Sequence, residues 1–447
     1  FGYETGVDNR ESTTYPNGLL QCTNTDPGGR LTKLVVFKPT GEQNCKSEIT
    51  PSSTLEFYGL LYSLKFTEEG HEEAIDTPDV QTLFNYKGET TTTYSYDTLD
   101  RLLAAIVTNT GGTQLTSEYE YDPAGNMKLN HTYSPSTTYT NEHMRFNAAN
   151  EICRIATSAP STCPETEPEP GIAGEPTYDK DGDMTSDGLL GGANKFAYTI
   201  RDQLSSVTPH GESAKQVVSH GAGQDDLAAL GSEEVIQNIL GVGVTGSSEG
   251  AKYYTRGSEG ELLAKRTAKG KPSETEYFVL DPFGSVAMLT SSAGSQTAPA
   301  TGSYRYDPYG SPIGTASATF GYEAGQILPG GLEHFGARYY SAAVGGWTQI
   351  DPSGAEPGYR YAADNPPNEF DLSGECSGGC HDTPAEKECL KKAGNNKSRA
   401  SKCFPSHDRI GVKELGEAVL EGIAIAECIL RAGECPDYGG APHPGPR

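Results

Sequence analysis

The chain has 447 residues, more than the roughly 250–300 at which one hydrophobic core usually stops growing, so a single ordinary globule is excluded unless the fold is repetitive. Sixty Asp and Glu against 34 Lys and Arg give a net charge of −26, which argues against nonspecific binding to nucleic acid or anionic membrane, both of which attract basic surfaces. Mean hydropathy is −0.54 and no run of about 18 apolar residues occurs, so no membrane-spanning helix is expected.

The first residues, Phe1-Gly-Tyr-Glu-Thr-Gly6, read as the middle of a strand–turn unit. The chain is therefore expected to be part of a longer one. Glycine is abundant, at 54 residues, and 25 tyrosines outnumber 13 phenylalanines. Both biases trace to one recurring unit, aromatic–x–aromatic–Asp–x–x–Gly followed by a short apolar run. A weak copy stands at Asp26-Pro-Gly-Gly29-Arg-Leu31. Tyr94-Ser-Tyr96-Asp97 follows, with Asp100 in place of the glycine, and then the full copy Tyr119-Glu-Tyr121-Asp122-Pro-Ala-Gly125. Phe146-Asn-Ala-Ala-Asn150 is degenerate, Tyr178-Asp179-Lys-Asp-Gly182 is weak, and Phe196-Ala-Tyr198-Thr-Ile-Arg-Asp202 is degenerate again. Asp281-Pro-Phe-Gly284 and Tyr304-Arg-Tyr306-Asp307-Pro-Tyr-Gly310 complete the series.

The unit has a physical reading. Alternating aromatics place rings on one face of a strand. Asp first, Pro second and Gly fourth are the preferences of a type I turn, and the Asp side chain bonds backbone amides two residues on. Asp122, Gly125, Asp281, Gly284, Asp307 and Gly310 are accordingly expected to be structural turn residues. The second aromatics at 96, 121, 146, 178 and 198 lie 25, 25, 32 and 20 residues apart. The longest gap holds an acidic, Pro-rich insertion, Thr157 to Pro176, with Cys153 and Cys163 at its base, where a disulfide is expected. This spacing fits poorly with propeller blades of about 40–45 residues. It predicts an all-β fold, a long sheet of hairpins curling into a shell or barrel to manage its edges. Gly191-Gly192 and Gly330-Gly331 read as turns, because no helix and lysine follow as a phosphate loop requires.

The Tyr-Asp units resemble the YD repeats of the Rhs family. The stretch from Tyr304-Arg-Tyr-Asp-Pro-Tyr-Gly310 through Gly331-Leu-Glu-His-Phe-Gly-Ala-Arg338-Tyr339-Tyr340 to Trp347-Thr-Gln-Ile-Asp351-Pro352 is similar to the Rhs repeat-associated core, and Tyr359-Arg-Tyr361 and Asn365-Pro-Pro-Asn368 continue it. The resemblance implies a hollow β-shell wound from YD hairpins, shared with bacterial polymorphic toxins, the C components of insecticidal toxin complexes and teneurins. In the toxins the core plugs the shell and the variable C-terminal segment is its cargo. The expected organisation is hairpins over 1–210, further shell strands over 211–296, the core over 297–374 and a variable segment over 375–447. Arg338, Tyr339 and Tyr340 are expected to pack and form ion pairs within the plug, and Trp347 to be buried.

The toxins' core also resembles an aspartic self-cleavage site made of two Asp-Pro-x-Gly elements. Asp351-Pro-Ser-Gly354 matches the first, and Asp371-Leu372-Ser-Gly374-Glu375 occupies the second, with Pro366 five residues before Asp371. Two adjacent carboxylates cannot both ionise easily, so one proton shared between them can activate water. The resemblance makes Asp351 and Asp371 the candidate dyad and places the cut between Glu375 and Cys376. Three positions depart from it: Leu372 stands for the second Pro, Glu375 for the Leu at the cut, and Gly346 for an Arg; the alternative is a degenerate, inactive site in which Asp351 and Asp371 are turn residues of the same Asp-x-x-Gly kind as Asp122 and Asp307.

Beyond residue 374 the repeat stops. Cys376, Cys380, Cys389, Cys403, Cys428 and Cys435 crowd this short segment and are expected to form disulfides of unknown pairing, which offset a thin core. Cys376, Cys380, His381 and Cys389 lack the paired Cys-x-x-Cys spacing of a zinc site, so no metal or cofactor is expected. Val412, Leu415, Val419, Ile423, Ala426 and Leu430 form one stripe at helical spacing, opposite Glu414, Glu417 and Glu421, predicting one α-helix. His381-Asp382 and His407-Asp408 are the only His-Asp steps there, and no catalytic motif accompanies them.

The sequence thus reads as a secreted or cell-surface shell presenting a C-terminal effector in intercellular competition, with that segment as cargo and an immunity protein as partner. The competing reading is a non-enzymatic adhesion protein that binds cell-surface glycans and carries a structural tail.

Overall fold

The computed structural model describes residues 2–3, 10–25, 31–39, 44–45, 60–65, 80–85, 88–109, 111–165, 171–221, 227–238, 241–246, 250–257, 260–267, 271–299, 303–317, 319–351, 358–372 and 374. The Asp26 copy of the repeat, the predicted helix, both His-Asp steps and all six C-terminal cysteines lie outside these residues. The described residues form three antiparallel sheets of 12, 13 and 4 strands, each ordered strictly by sequence. The first runs from Gly2–Tyr3 to Ile152–Ala156 and the second from Thr177–Tyr178 to Gln296–Ala298. The third comprises Gln326–Ile327, Leu332–Phe335, Arg338–Ser341 and Gly346–Trp347. The fold is all-β, with no α-helix among the described residues.

The hairpins owe their turns to the repeated unit. At Asp122 the Ala124 and Asn126 amides donate to Oδ1 at 2.8 and 2.9 Å, and the Gly125 amide donates to the Asp122 carbonyl at 3.1 Å. Gly125 then takes φ +89°. This is a type I turn closed by a residue in the left-handed region. Asp179, Asp281 and Asp307 repeat the pattern of amides two and four residues on. The degenerate copies keep the geometry with other atoms. Asn147 and Thr199 supply the acceptor oxygen, and Asn150 and Asp202 occupy the left-handed position at φ +63° and +58°. Asn and Asp are the side chains that tolerate this region.

Each turn also fixes which side chains face inward. The aromatics just before the turns, Tyr96, Tyr121, Phe146, Tyr178 and Tyr198, pack against one continuous core. So do the first apolar residues after them, Leu102, Met127, Ile152, Met184 and Leu204. Neighbouring hairpins are tied at this level: the Tyr121 hydroxyl donates to the Leu102 carbonyl at 2.8 Å, and the Ile152 amide donates to the Tyr178 hydroxyl at 3.2 Å.

The two large sheets meet twice. Where one follows the other in sequence, the Ile155 amide donates to the Gly174 carbonyl at 2.9 Å. At the far side, Asn17 donates to Thr290 and Ser291 at 3.1 and 2.9 Å. There Tyr15, Leu19, Leu34 and Val36 share a buried cluster with Tyr277, Val279, Ala287 and Met288. The sheets therefore form a wall that returns on itself at this level.

The described residues of 303–374 plug that wall. Asn130 of the first sheet donates to the Ala342 and Ala343 carbonyls at 3.3 and 3.1 Å, and Asn194 of the second donates to the Gly330 carbonyl at 3.1 Å. Within the plug, Tyr340, Tyr361 and Trp347 pack with ring centroids 4.4 to 5.6 Å apart, in the tilted and edge-on arrangements that aromatic pairs favour. Gly345, at φ +64°, brings its backbone against wall residue Met127, whose Cε lies 2.7 Å from where a Cβ would stand.

Candidate functional site

The candidate dyad lies around Arg338, the first residue of a strand whose four side chains are all buried. Arg338 is fully buried; its Nη2 lies 2.9 Å from Asp371 Oδ2, its Nε donates to the Gly374 carbonyl at 2.5 Å, and its guanidinium sits 4.2 Å from the Trp347 ring centroid. A charge so enclosed needs both a counter-ion and hydrogen bonds. Asp371, Gly374 and the indole face supply them. Gly374 is pressed onto the same hairpin: at φ +68°, a Cβ there would lie 2.2 Å from the Phe335 carbonyl oxygen. Gly374, one residue upstream of Glu375 at the predicted cut, is thus fastened to the plug from two directions. Pro352 to Gly354, Glu375 and Cys376 lie outside the described residues.

Asp351 is also buried, and it lines a cavity of about 500 Å³ together with Arg338, Tyr339 and Gln349 of the plug. The opposite side of this cavity comes from the wall, through Asp181, Asp183, Asp202 and His220. Asp371 is not among the lining residues. Arg338 is the residue common to both aspartates, bordering the cavity that holds Asp351 and bonding Asp371. Burial pushes the Asp183 carboxyl up to about 7; the charges of Asp179 and Asp202 add to the rise, and a hydrogen bond from Gln349 partly offsets it. The Gln349 amide also donates to the Asp202 carbonyl, joining the plug to the wall beside Asp351.

A second group of carboxyls lies inside the plug. Burial raises Glu323 to about 8, hydrogen bonds from Tyr361 and Tyr322 partly offset it, and the charges of Asp281 and Asp371 add to the rise. Burial raises Glu333 as well, and the Glu323 charge adds to it. Burial thus favours the neutral form of both acids.

The other residues singled out in the sequence fall into structural roles. Asp122, Asp281 and Asp307 accept turn amides, and Gly125, Gly284 and Gly310 hold the left-handed position. Cys153 and Cys163 are joined by a disulfide with Cα atoms 5.3 Å apart, at the base of the insertion. A second bridge, Cys22–Cys45, had no sequence signal of its own. Trp347 is buried, and Gly192 and Gly331 close turns. Among the described residues no group of His, Cys, Asp and Glu is arranged to hold a metal ion, and no helix is long and apolar enough to cross a membrane.

Sequence reasoning anticipated Arg338 as an ion-pairing residue but not its partner. It missed Asp183, Gln349 and His220. The signal for Asp183 was present: it follows the turn glycine, where the full copies place Asn126 and Ser311 and the Asp281 copy places Ser285.

No family model matches the chain, and no curated protein is detectably similar to it. Among solved structures, the chain is similar to TcdB2-TccC3 without its hypervariable C-terminal region, at 15% identity and a TM-score of 0.47, covering 82% of this chain and 19% of that one. It is also similar to TcdB2-TccC3-TEV, at 15% identity and a TM-score of 0.42, over 80% of this chain and 18% of that one. A Photorhabdus luminescens Tc holotoxin pore gives 13% identity and a TM-score of 0.35, over 80% and 23%. The chain spans about a fifth of the length of these solved chains.

Proposed function

We propose that the chain belongs to an exported shell that presents residues 375–447 as an effector in intercellular competition and releases them by self-cleavage between Glu375 and Cys376. The observation that carries this reading is the Arg338 clamp, which holds both Asp371 and the Gly374 carbonyl where the plug ends. In this reading the plug is a holder for the chain that leaves it, and Asp371 works through Arg338 to fix the peptide about to be cut. Asp351, in the adjoining cavity, activates water. The resemblance of residues 304–374 to the Rhs core supports the same assignment, and an immunity protein would be the partner of the released segment.

Two measurements test it. Intact mass of the purified full chain should show a fragment beginning at Cys376, and Asp351→Asn or Asp371→Asn should abolish it; a chain that stays whole sinks the cleavage step. Expression of residues 376–447 alone in a bacterium should arrest growth. Harmless expression would remove the effector role and favour the adhesion reading.

A further inference from the structure

The cavity of about 500 Å³ between wall and plug is lined by acceptors that lack donors. Asp183, on its wall side, is 3% exposed; the Gln349 amide hydrogen-bonds its carboxyl, yet Oδ2 has no partner. Gln349, on the plug side, is equally buried. Its amide serves Asp183 and the Asp202 carbonyl, which leaves its Oε1 without a partner. His220 of the wall has Nε2 2.8 Å from the Leu204 carbonyl, so that nitrogen carries the hydrogen. Its Nδ1 is then an acceptor in the neutral ring, again without a partner. Native proteins rarely bury acceptors in this way, and those they do bury mark places for a bound group.

Charge points to the same kind of group. Asp181, Asp183, Asp202 and Asp351 line the cavity against Arg201 and Arg338, and Arg338 is already ion-paired with Asp371 at 2.9 Å. Water would answer the acceptors but not the charge. A bare metal ion needs several ligands gathered on one point, and no such group of His, Cys, Asp and Glu exists among the described residues. An ammonium group answers both demands, with three N–H donors, no acceptor and a positive charge.

We propose that this cavity binds a small aliphatic diamine, one ammonium held by Asp183 and His220 of the wall and by Gln349 of the plug. Asp181 and Asp202 are exposed lining residues, available to the second ammonium. The volume lies within the roughly 300–1,000 Å³ of small-molecule sites, and Ala337 and Ile350 give apolar surface to the methylenes between the charges. The site is complete only when the plug is seated, so its ligand joins the two regions. The proposal stands whether or not the chain cleaves itself.

Binding of a cation here depends on pH. Burial raises Asp183 most, the charges of Asp179, Asp202 and Asp181 add to the rise, and the group stands at about 7. Arg201 and His220 of the wall and Arg338 and Asp351 of the plug also face the cavity. An ammonium favours the ionised carboxylate, so affinity should rise as the pH passes upward through 7.

The test is calorimetric titration of the full chain with 1,4-diaminobutane in about 0.15 M salt, where exposed charges more than about 8 Å apart are screened. The uncharged control is 1,4-butanediol. The expected result is a stoichiometry of about one, a diol at least about tenfold weaker, and affinity rising several-fold from pH 5.5 to pH 8. Asp183→Asn keeps the shape, removes the charge and should weaken binding about tenfold or more. Glu120→Gln, at an exposed acid elsewhere on the wall, should leave it unchanged. No binding by wild type, unchanged affinity in Asp183→Asn, equal weakening in Glu120→Gln, or displacement of the diamine by calcium chloride overturns the proposal. Should Asp183→Asn melt early, Asp202→Asn decides: a several-fold loss supports the proposal, and no loss overturns it.

Discussion

The wall and the plug use the same turn for different purposes. In the wall the turn carboxylate is a local device: Asp97 is pushed up by burial, but hydrogen bonds from Arg101 and Leu99 outweigh this and leave it below its ordinary value. In and against the plug the same device is buried. Burial carries Asp307 to about 6 and Asp281 to about 7, although each accepts the same pair of turn amides. The difference teaches that turn chemistry sets backbone geometry in both regions, whereas the protonation state is set by what packs on top. The wall is a sum of similar local solutions. The plug is one tertiary solution that concentrates buried charge.

The comparison makes predictions of decreasing size. The largest effect is expected at Arg338, since removing one partner of a buried ion pair costs about 3–5 kcal/mol. Arg338→Met should lower stability by that order in denaturant unfolding, and Arg338→Lys should not restore it, because a point charge cannot serve Asp371, Gly374 and Trp347 together. A loss below about 1 kcal/mol would mean the pair is not the plug's anchor.

Next comes pH. Glu323, Asp281 and Asp307 are raised to about 8, 7 and 6 from ordinary values of 4.5, 3.8 and 3.8. The folded state therefore holds protons that the unfolded chain releases. This contribution to stability is fully present below about pH 4 and is lost as pH rises through about 6 to 8. The melting midpoint should fall between pH 5 and pH 9, and Glu323→Gln should flatten that fall. An unchanged slope in Glu323→Gln would remove this residue from the account.

A paired comparison follows. Asp122→Ala in the wall should cost about 1 kcal/mol, as the loss of a capping oxygen does. Asp307→Ala should cost about 0.5–1.5 kcal/mol more, because it also removes the buried hydrogen bond from the Thr132 hydroxyl to Asp307 Oδ2 at 3.0 Å. Equal losses would show that the turn alone sets the value. The smallest effect is a gain. Asp202→Gly relieves a left-handed position in the wall, at φ +58°, and should stabilise by a few tenths to about 1 kcal/mol, measured as a small rise in the melting midpoint.

Much of the wall was legible because its determinants are local. Asp122, Gly125 and the aromatic before them lie within a few residues, so a repeated string reports a repeated turn. Even the degenerate copies at Phe146 and Tyr198 carried enough, since Asn or Thr can supply the oxygen and Asn or Asp the left-handed residue. The candidate site was legible only in part. The pattern named Asp351, Asp371 and Arg338 from the core motif, but it gave them no distances.

The sequence alone determined an all-β hairpin chain with its turns at the Asp units, because turn geometry depends on neighbours in the chain. Only the tertiary structure decided that Asp371 answers to Arg338 and that Gln349, two residues before Asp351, reaches the wall at Asp202. Those partners lie 33 and 147 residues apart, and their pairing depends on how the plug folds and seats in the wall. No local pattern encodes that seating.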